Sequence, residues 1–138
     1  STKKKDILSI MAAHRVPYAA TASTAYPEDL LAKVRKARSM EGTRFLHILS
    51  PCPPGWKTAD EKTIELGRMA VQNRVFPLME VEGGTRWRFT MDSAGDPVGP
   101  YIRAQGRFKH LTDEDVARIQ KDVDARYAYL ERMVRSSE

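Results

Sequence analysis

The sequence predicts an α/β fold, a parallel sheet flanked by helices, with a β-hairpin and a long C-terminal helix added to it. Three observations carry that prediction. Before Ser50, amphipathic helical stretches alternate with short, nearly all-apolar runs. Gly83-Gly84 sits between two stretches that read as strands. Val116, Ile119, Val123, Tyr127, Leu130 and Val134 then form one apolar stripe at helical spacing.

Taken in order, Ile7, Ile10, Met11 and His14 are spaced for a short amphipathic helix over residues 6 to 15, with Pro17 as a stop. Tyr18 to Ala25 (YAATASTA) is small, apolar and uncharged, as expected of a strand buried on both faces of a parallel sheet. Its short side chains would let backbone or a cofactor approach closely. Pro27 at the first helical position, Glu28 and Asp29 in the first turn, Lys36 and Arg38 late and Gly42 beyond predict the next helix, with Leu30, Leu31 and Val34 turned inward. Phe45 to Leu49 (FLHIL) reads as a second buried strand.

Ser50 to Lys57 (SPCPPGWK) is expected to be a stiff loop, because Pro51, Pro53 and Pro54 each lack a backbone donor. Thr58 and Glu61 have the spacing of a capping box for a helix through about Asn73. Leu78 to Val81 and Arg86 to Met91 flank the glycine pair as a hairpin with a two-residue turn. Thr112 is placed to cap the last helix, with Leu111 and Val116 as a hydrophobic staple. The domain reading is residues 1–75 as an α/β unit and 76–138 as a hairpin and helical extension.

At 138 residues the chain is the length of one domain, and such a chain buries roughly two-thirds of the surface it exposes when unfolded. A hydrophobic fraction of 41% and a charged fraction of 30% are ordinary for a globular protein. Lys3, Lys4 and Lys5 precede an apolar run, but Asp6, His14 and Arg15 interrupt it, so neither a secretory signal nor a membrane span is expected. One cysteine allows no internal disulfide and favours a reducing, cytoplasmic setting. The net charge of +5 suits an acidic partner. Because the basic residues are spread along helix faces without an aromatic ladder, an acidic protein fits this charge, and neither nucleic acid nor membrane is expected as a partner.

Cys52 is the candidate site residue. A lone cysteine is ordinarily a small buried hydrophobe, but prolines on both sides fix this sulfur on a loop just past a strand end. The carboxyl ends of strands are where open α/β sheets bind ligands, and a proline directly after cysteine also occurs in ferredoxin cluster loops. A catalytic cysteine is the competing reading. It would need a base such as His47, which reads more simply as a core or sheet-edge histidine. His14 and His110 lack metal-ligand spacing with Cys52. The acidic residues Glu28, Asp29, Asp60, Glu61, Asp113, Glu114 and Asp115 fall in helix first turns, where the helix dipole already accounts for them. Trp56 and Trp87 read as packing residues that could also shield a site.

Four strings in order, VPYAATASTAYPE (Val16 to Glu28), FLHILSPCPPGW (Phe45 to Trp56), TIELGRMAV (Thr63 to Val71) and QGRFKHL (Gln105 to Leu111), resemble the C-terminal half of the beta subunit of pyruvate:ferredoxin oxidoreductase. The match runs from about Lys4 to Tyr129, and PCPPGW after an apolar strand is its most specific part. The resemblance implies the C-terminal half of a thiamin diphosphate-binding fold, within an enzyme that decarboxylates a 2-oxoacid, releases acyl-coenzyme A and passes electrons through 4Fe-4S clusters to ferredoxin or flavodoxin.

On that resemblance Cys52 corresponds to the last of four cysteines around the 4Fe-4S cluster nearest the thiamine, and no residue of this chain is assigned as catalytic. The other three cysteines, and the Gly-Asp-Gly and Asn motif that holds thiamine diphosphate and Mg2+, belong to the family's N-terminal half. The chain is therefore expected to be a segment of a longer subunit, partnered by that half and by other oxidoreductase subunits. A reading of another class also stands: a non-catalytic interaction domain of the same fold that binds an acidic protein partner.

Overall fold

The computed structural model describes residues 3–138. Its elements are α1 (Ile7–Ala13), β1 (Tyr18–Ser23), α2 (Pro27–Ser39), β2 (Arg44–Leu49), α3 (Pro53–Trp56), α4 (Thr63–Gln72), β3 (Met79–Glu82), β4 (Arg86–Phe89), α5 (Gly99–Arg103) and α6 (Asp113–Ser136). The strands form one sheet in the order β2-β1-β3-β4. β1 and β2 run parallel, with Tyr18 opposite Arg44 and Ser23 opposite Leu49. β3 lies antiparallel on the other side of β1, and β4 antiparallel to β3. The sheet is thus mixed: the expected hairpin is zipped onto β1, where Ala20 faces Glu80 and Tyr18 faces Glu82.

β1 is buried along its whole length, as its small apolar residues predict. On one face of the sheet, Ala19, Met79, Val81 and Trp87 pack with Leu8 and Ala12 of α1 and Leu130 of α6. On the opposite face Tyr18 and Ala20 pack with Ala37 of α2. A further core gathers Trp56, Leu66, Ala70, Val98, Tyr101 and Ile102, flanked by Val116, Ile119 and Val123. α6 therefore reaches two cores along one helix. Its start is the predicted one: the Thr112 hydroxyl accepts from the Asp115 amide while the Asp115 carboxylate accepts from the Thr112 amide.

The glycine turn is required by geometry. Gly83 and Gly84 both have positive φ (60° and 76°), and a Cβ on Gly84 would lie 2.3 Å from the Ala12 carbonyl. The connection holds one more residue than a two-residue loop, since Glu82 pairs with Arg86 and Thr85 lies between the turn and β4.

The structure corrects further expectations. Pro53–Trp56 forms a short helix inside the segment read as a loop, with both prolines in its first turn, where no backbone donor is needed. The β2 strand, read as buried, is partly exposed along its length. α2 turns Lys33 and Ala37 inward, while Leu31 and Val34 are 51% and 39% exposed. The cause is a buried ammonium: Lys33 Nζ donates to the Thr21 carbonyl (2.7 Å), to Asp29 (2.6 Å) and to the Thr90 hydroxyl (2.7 Å), which fixes the helix's rotation about its axis. Thr58 does not open α4, whose N-cap is Lys62 with no side-chain cap. The Thr58 amide instead donates to the Pro53 carbonyl behind α3, and a 3-10 turn at Asp60–Lys62 leads into the helix.

Candidate functional site: the loops at the carboxyl ends of the parallel strands

The loops after β1 and β2 emerge side by side. The Thr24 amide donates to the Leu49 carbonyl (3.1 Å), tying the start of one loop to the end of the other strand. α4 packs against both. A Cβ on Gly67 would lie 2.7 Å from that of Ala25 and 3.6 Å from Pro51, so only glycine lets the helix come this close. Arg68 donates to the Ala25 carbonyl (3.4 Å) and lies over the Tyr26 ring, whose hydroxyl accepts from Gln72 (3.1 Å). Beside this contact Ile64, Arg68, Met69, Gln72 and Asp96 line a shallow open groove.

Cys52 stands on the second loop and its thiol is exposed, which removes the reading of it as a small core hydrophobe. It is the N-cap residue of the four-residue α3, in extended conformation, with its side chain unused in capping. The loop is pinned at both ends. Pro51 is buried, and Trp56 at the end of α3 is buried with its indole edge-on to Tyr101 at 6.2 Å. The Trp56 amide donates to the Cys52 carbonyl (2.8 Å). Lys57 closes the turn with φ 53°.

A third segment, not assigned by sequence, completes the clamp. The Gly106 amide donates to the Lys57 carbonyl (3.1 Å), and a Cβ at Gly106 would lie 2.8 Å from that of Lys57. Next to it the Arg107 guanidinium sits 4.2 Å from the Trp56 ring centroid and 4.4 Å from that of Phe108, and donates to Gln105 (2.8 Å). Partial burial lowers the Arg107 pKa from its ordinary value, with Tyr101 acting weakly the other way. The only sequence signal for this clamp is the QGRF string itself.

Among the described residues His47 makes no hydrogen bond to Cys52. It packs edge-on to Phe76 at 5.2 Å, and its pKa is lowered by burial and by Arg126, against the opposing pull of Asp6. Trp87 lies in the core under α6. Among the described residues no group of three His, Cys, Asp or Glu side chains is placed to hold a metal ion. The donor set at this loop is therefore one cysteine sulfur, which fits one corner of a four-cysteine cluster and not a whole site. No described helix is long and apolar enough to cross a membrane.

The site is thus that of an α/β domain presenting one pinned, exposed thiol where its parallel strands end. Comparison with known proteins gives the family. The chain is 52% identical over 122 residues to pyruvate synthase subunit PorB of Methanocaldococcus jannaschii, covering 88% of this chain and 41% of that protein. It is 50% identical over 123 residues to the PorB subunit of Methanothermobacter marburgensis, covering 88% and 42%. Against ketoisovalerate oxidoreductase subunit VorB of Pyrococcus abyssi the identity is 43% over 133 residues, covering 94% and 42%. No family model matches the chain. The chain belongs to the family of these pyruvate synthase and ketoisovalerate oxidoreductase subunits, and it spans about two-fifths of the length of the relatives it matches.

Proposed function

We propose that this chain is the C-terminal part of the beta subunit of a cytoplasmic 2-oxoacid:ferredoxin oxidoreductase, and that its Cys52 thiolate ligates one iron of a 4Fe-4S cluster whose other thiolates lie outside the chain. The observation that carries this reading is the exposed, clamped cysteine at the carboxyl ends of the parallel strands, in a chain 52% identical to a pyruvate synthase subunit over 122 residues. When bound, thiamine diphosphate with Mg2+ would supply the decarboxylation chemistry, and a cluster held by Cys52 with thiolates outside the chain would supply a path for electrons to ferredoxin or flavodoxin, with coenzyme A as the acyl acceptor.

The chain's own residues do the positioning. Buried Pro51 and Trp56 hold the ends of the Cys52 loop, so its exposed cysteine has little backbone freedom left to lose on ligation. The Gly106-Arg107 clamp fixes Trp56 from outside. A ligand sulfur supported in this way would be presented to its metal in a fixed orientation. The partners on this reading are the rest of the subunit and the other oxidoreductase subunits.

Cys52→Ala in the complete enzyme tests the assignment. Because the side chain is exposed, folding stability is expected to change by no more than about 0.5 kcal/mol. Iron content and the low-temperature electron paramagnetic resonance of the reduced enzyme should change. Ferredoxin reduction should fall by about 100-fold or more, while thiamine diphosphate binding is retained. Full iron content with an unaltered spectrum refutes the ligand role.

A further inference from the structure

The outer edge of β2 is bare, and it is apolar. Ile48 is 44% exposed on it, and Leu31 and Val34 of α2 stand exposed nearby. Val34, Ala37 and Leu46 line an open groove there, with Arg38 and Arg44 at its rim. Among the described residues no side chain hydrogen-bonds to the backbone of Phe45 to Ile48 on that edge. Strands of parallel sheets are ordinarily buried on both faces, and a long apolar edge left open is a pairing template.

Connection handedness says what belongs there. α2 links β1 to β2 across the Tyr18–Ala20 face, whereas α1 packs on the opposite, Ala19 face. Parallel crossovers are right-handed, so a crossover on one face moves the chain one way across the sheet and a crossover on the other face moves it back. The α2 crossover carries the chain from β1 outward to β2. A crossover through α1 must therefore arrive at β1 from the β2 side. The position next to β1 on that side is taken by β2, which leaves the outer edge of β2 for the strand that feeds α1. α1 in fact reaches across to contact β2 as well as β1.

We infer that β2 is an interior strand of the complete subunit: a parallel strand leading into α1, drawn from the three-fifths of the relatives' length that this chain does not span, pairs along Phe45 to Ile48 and covers Leu31, Val34 and Ile48. This rests on the family reading above, and specifies within it which edge the rest of the subunit occupies.

Hydrogen exchange read by mass spectrometry, on this chain alone and on the complete subunit, tests the inference. Alternate amides of β2 should exchange at least tenfold more slowly in the complete subunit. Ile48→Lys should leave the chain alone as stable as before, yet lower the soluble yield of the complete subunit at least tenfold; Tyr129→Lys, equally exposed but on α6, should leave that yield unchanged. Equal β2 exchange in both forms overturns the inference. So does a dimer of this chain alone that Ile48→Lys dissolves, because the edge would then belong to a second copy. Neither readout depends on iron or turnover: a complete subunit that shields β2 but binds no cluster sinks only the Cys52 assignment, and an iron-loaded one with β2 exposed sinks only this inference.

Discussion

The β4 edge of the sheet is closed by the protein's own last helix, whereas the β2 edge carries apolar side chains with none of the described residues across them. At β4, the Ser137 hydroxyl at the end of α6 accepts from the Trp87 amide (2.9 Å) and lies 3.0 Å from the Thr85 carbonyl. Leu130 buries itself against Trp87 and Val81, and Tyr127 stacks on Phe89 at 5.1 Å. The surface beside this edge is charged: Glu80 and Glu82 pair with Lys36, Arg86 and Arg88. At β2 the same chain leaves Ile48 and Val34 open. An edge meant for solvent is twisted away, charged or covered, and only one of these two has been so treated. The difference marks β4 as a true boundary of the fold and β2 as an internal seam.

Breaking the closure at β4 is expected to have the largest effect. Leu130 is fully buried where α6 crosses the sheet, and Leu130→Ala should destabilise the chain by about 3 kcal/mol through lost burial and the cavity left behind. Trp87 lies under that contact, so its fluorescence should shift to the red in the variant. A loss below about 1 kcal/mol would mean that α6 does not hold the β4 edge and that the two edges are alike.

The charged network beside β4 gives a pH signature of nearly the same size. Burial acts to raise the Glu80 pKa, but donation from Tyr18 (2.6 Å), Lys36 (2.9 Å) and Arg88 outweighs it and holds the carboxyl at about 2. Burial, helped by the same carboxylate, drives the Tyr18 phenol far above its usual range. A folded pKa of about 2 below an unfolded 4.5 stabilises the fold above pH 4.5, and that stability is lost as pH falls toward 2. At neutral pH the contribution is about 3 kcal/mol. Glu80→Gln should therefore be less stable at pH 7, and its denaturation midpoints should decline less steeply than the parent's between about pH 4.5 and 2. Asp6 and Glu82, also held low, leave a residual slope in the same direction. An acid limb as steep as the parent's would mean that Glu80 is not the buried anchor of this edge.

The contrast between edges also explains what could be read in the sequence. Local signals succeeded in part: the Thr112 cap forms as read, and Gly83-Gly84 makes the turn with one residue more than read, whereas the Thr58–Glu61 spacing caps no helix and Pro53–Trp56 winds into a short helix within the segment read as a loop. The small residues of β1 predicted its burial, since its side chains alternate between two faces that are both covered, by α1 and α6 on one side and α2 on the other. FLHIL carries the same signal and reads as buried, but among the described residues β2 is an edge strand and is partly exposed. The apolar stripe of α2 was visible, whereas its direction was not. That was decided by Lys33 reaching the Thr21 carbonyl and the Thr90 hydroxyl, the latter 57 residues away. The Arg107 stack on Trp56 was equally hidden, because a cation over a ring distant in sequence leaves no periodic trace.

The smallest predicted effect isolates the backbone part of the comparison. Ser137→Ala removes the one hydroxyl that satisfies the Trp87 amide, while leaving the apolar contacts of α6 in place. A hydroxyl carries one proton, so at any moment Ser137 donates either to Thr85 or to the Met133 carbonyl at 2.8 Å, while its oxygen stays available to Trp87. Losing that acceptor leaves a partly buried amide to be served by water, a change of about 1 kcal/mol. The Trp87 amide should then exchange about fivefold faster, with the thermal midpoint lowered by a few degrees. Hydrogen exchange at residue resolution checks this, with the fully buried strand β1 as the internal standard. If Trp87 keeps its parent rate, water replaces the serine without penalty. The two edges then differ in their side chains alone, and the bare backbone of β2 loses its weight as a sign of a missing strand.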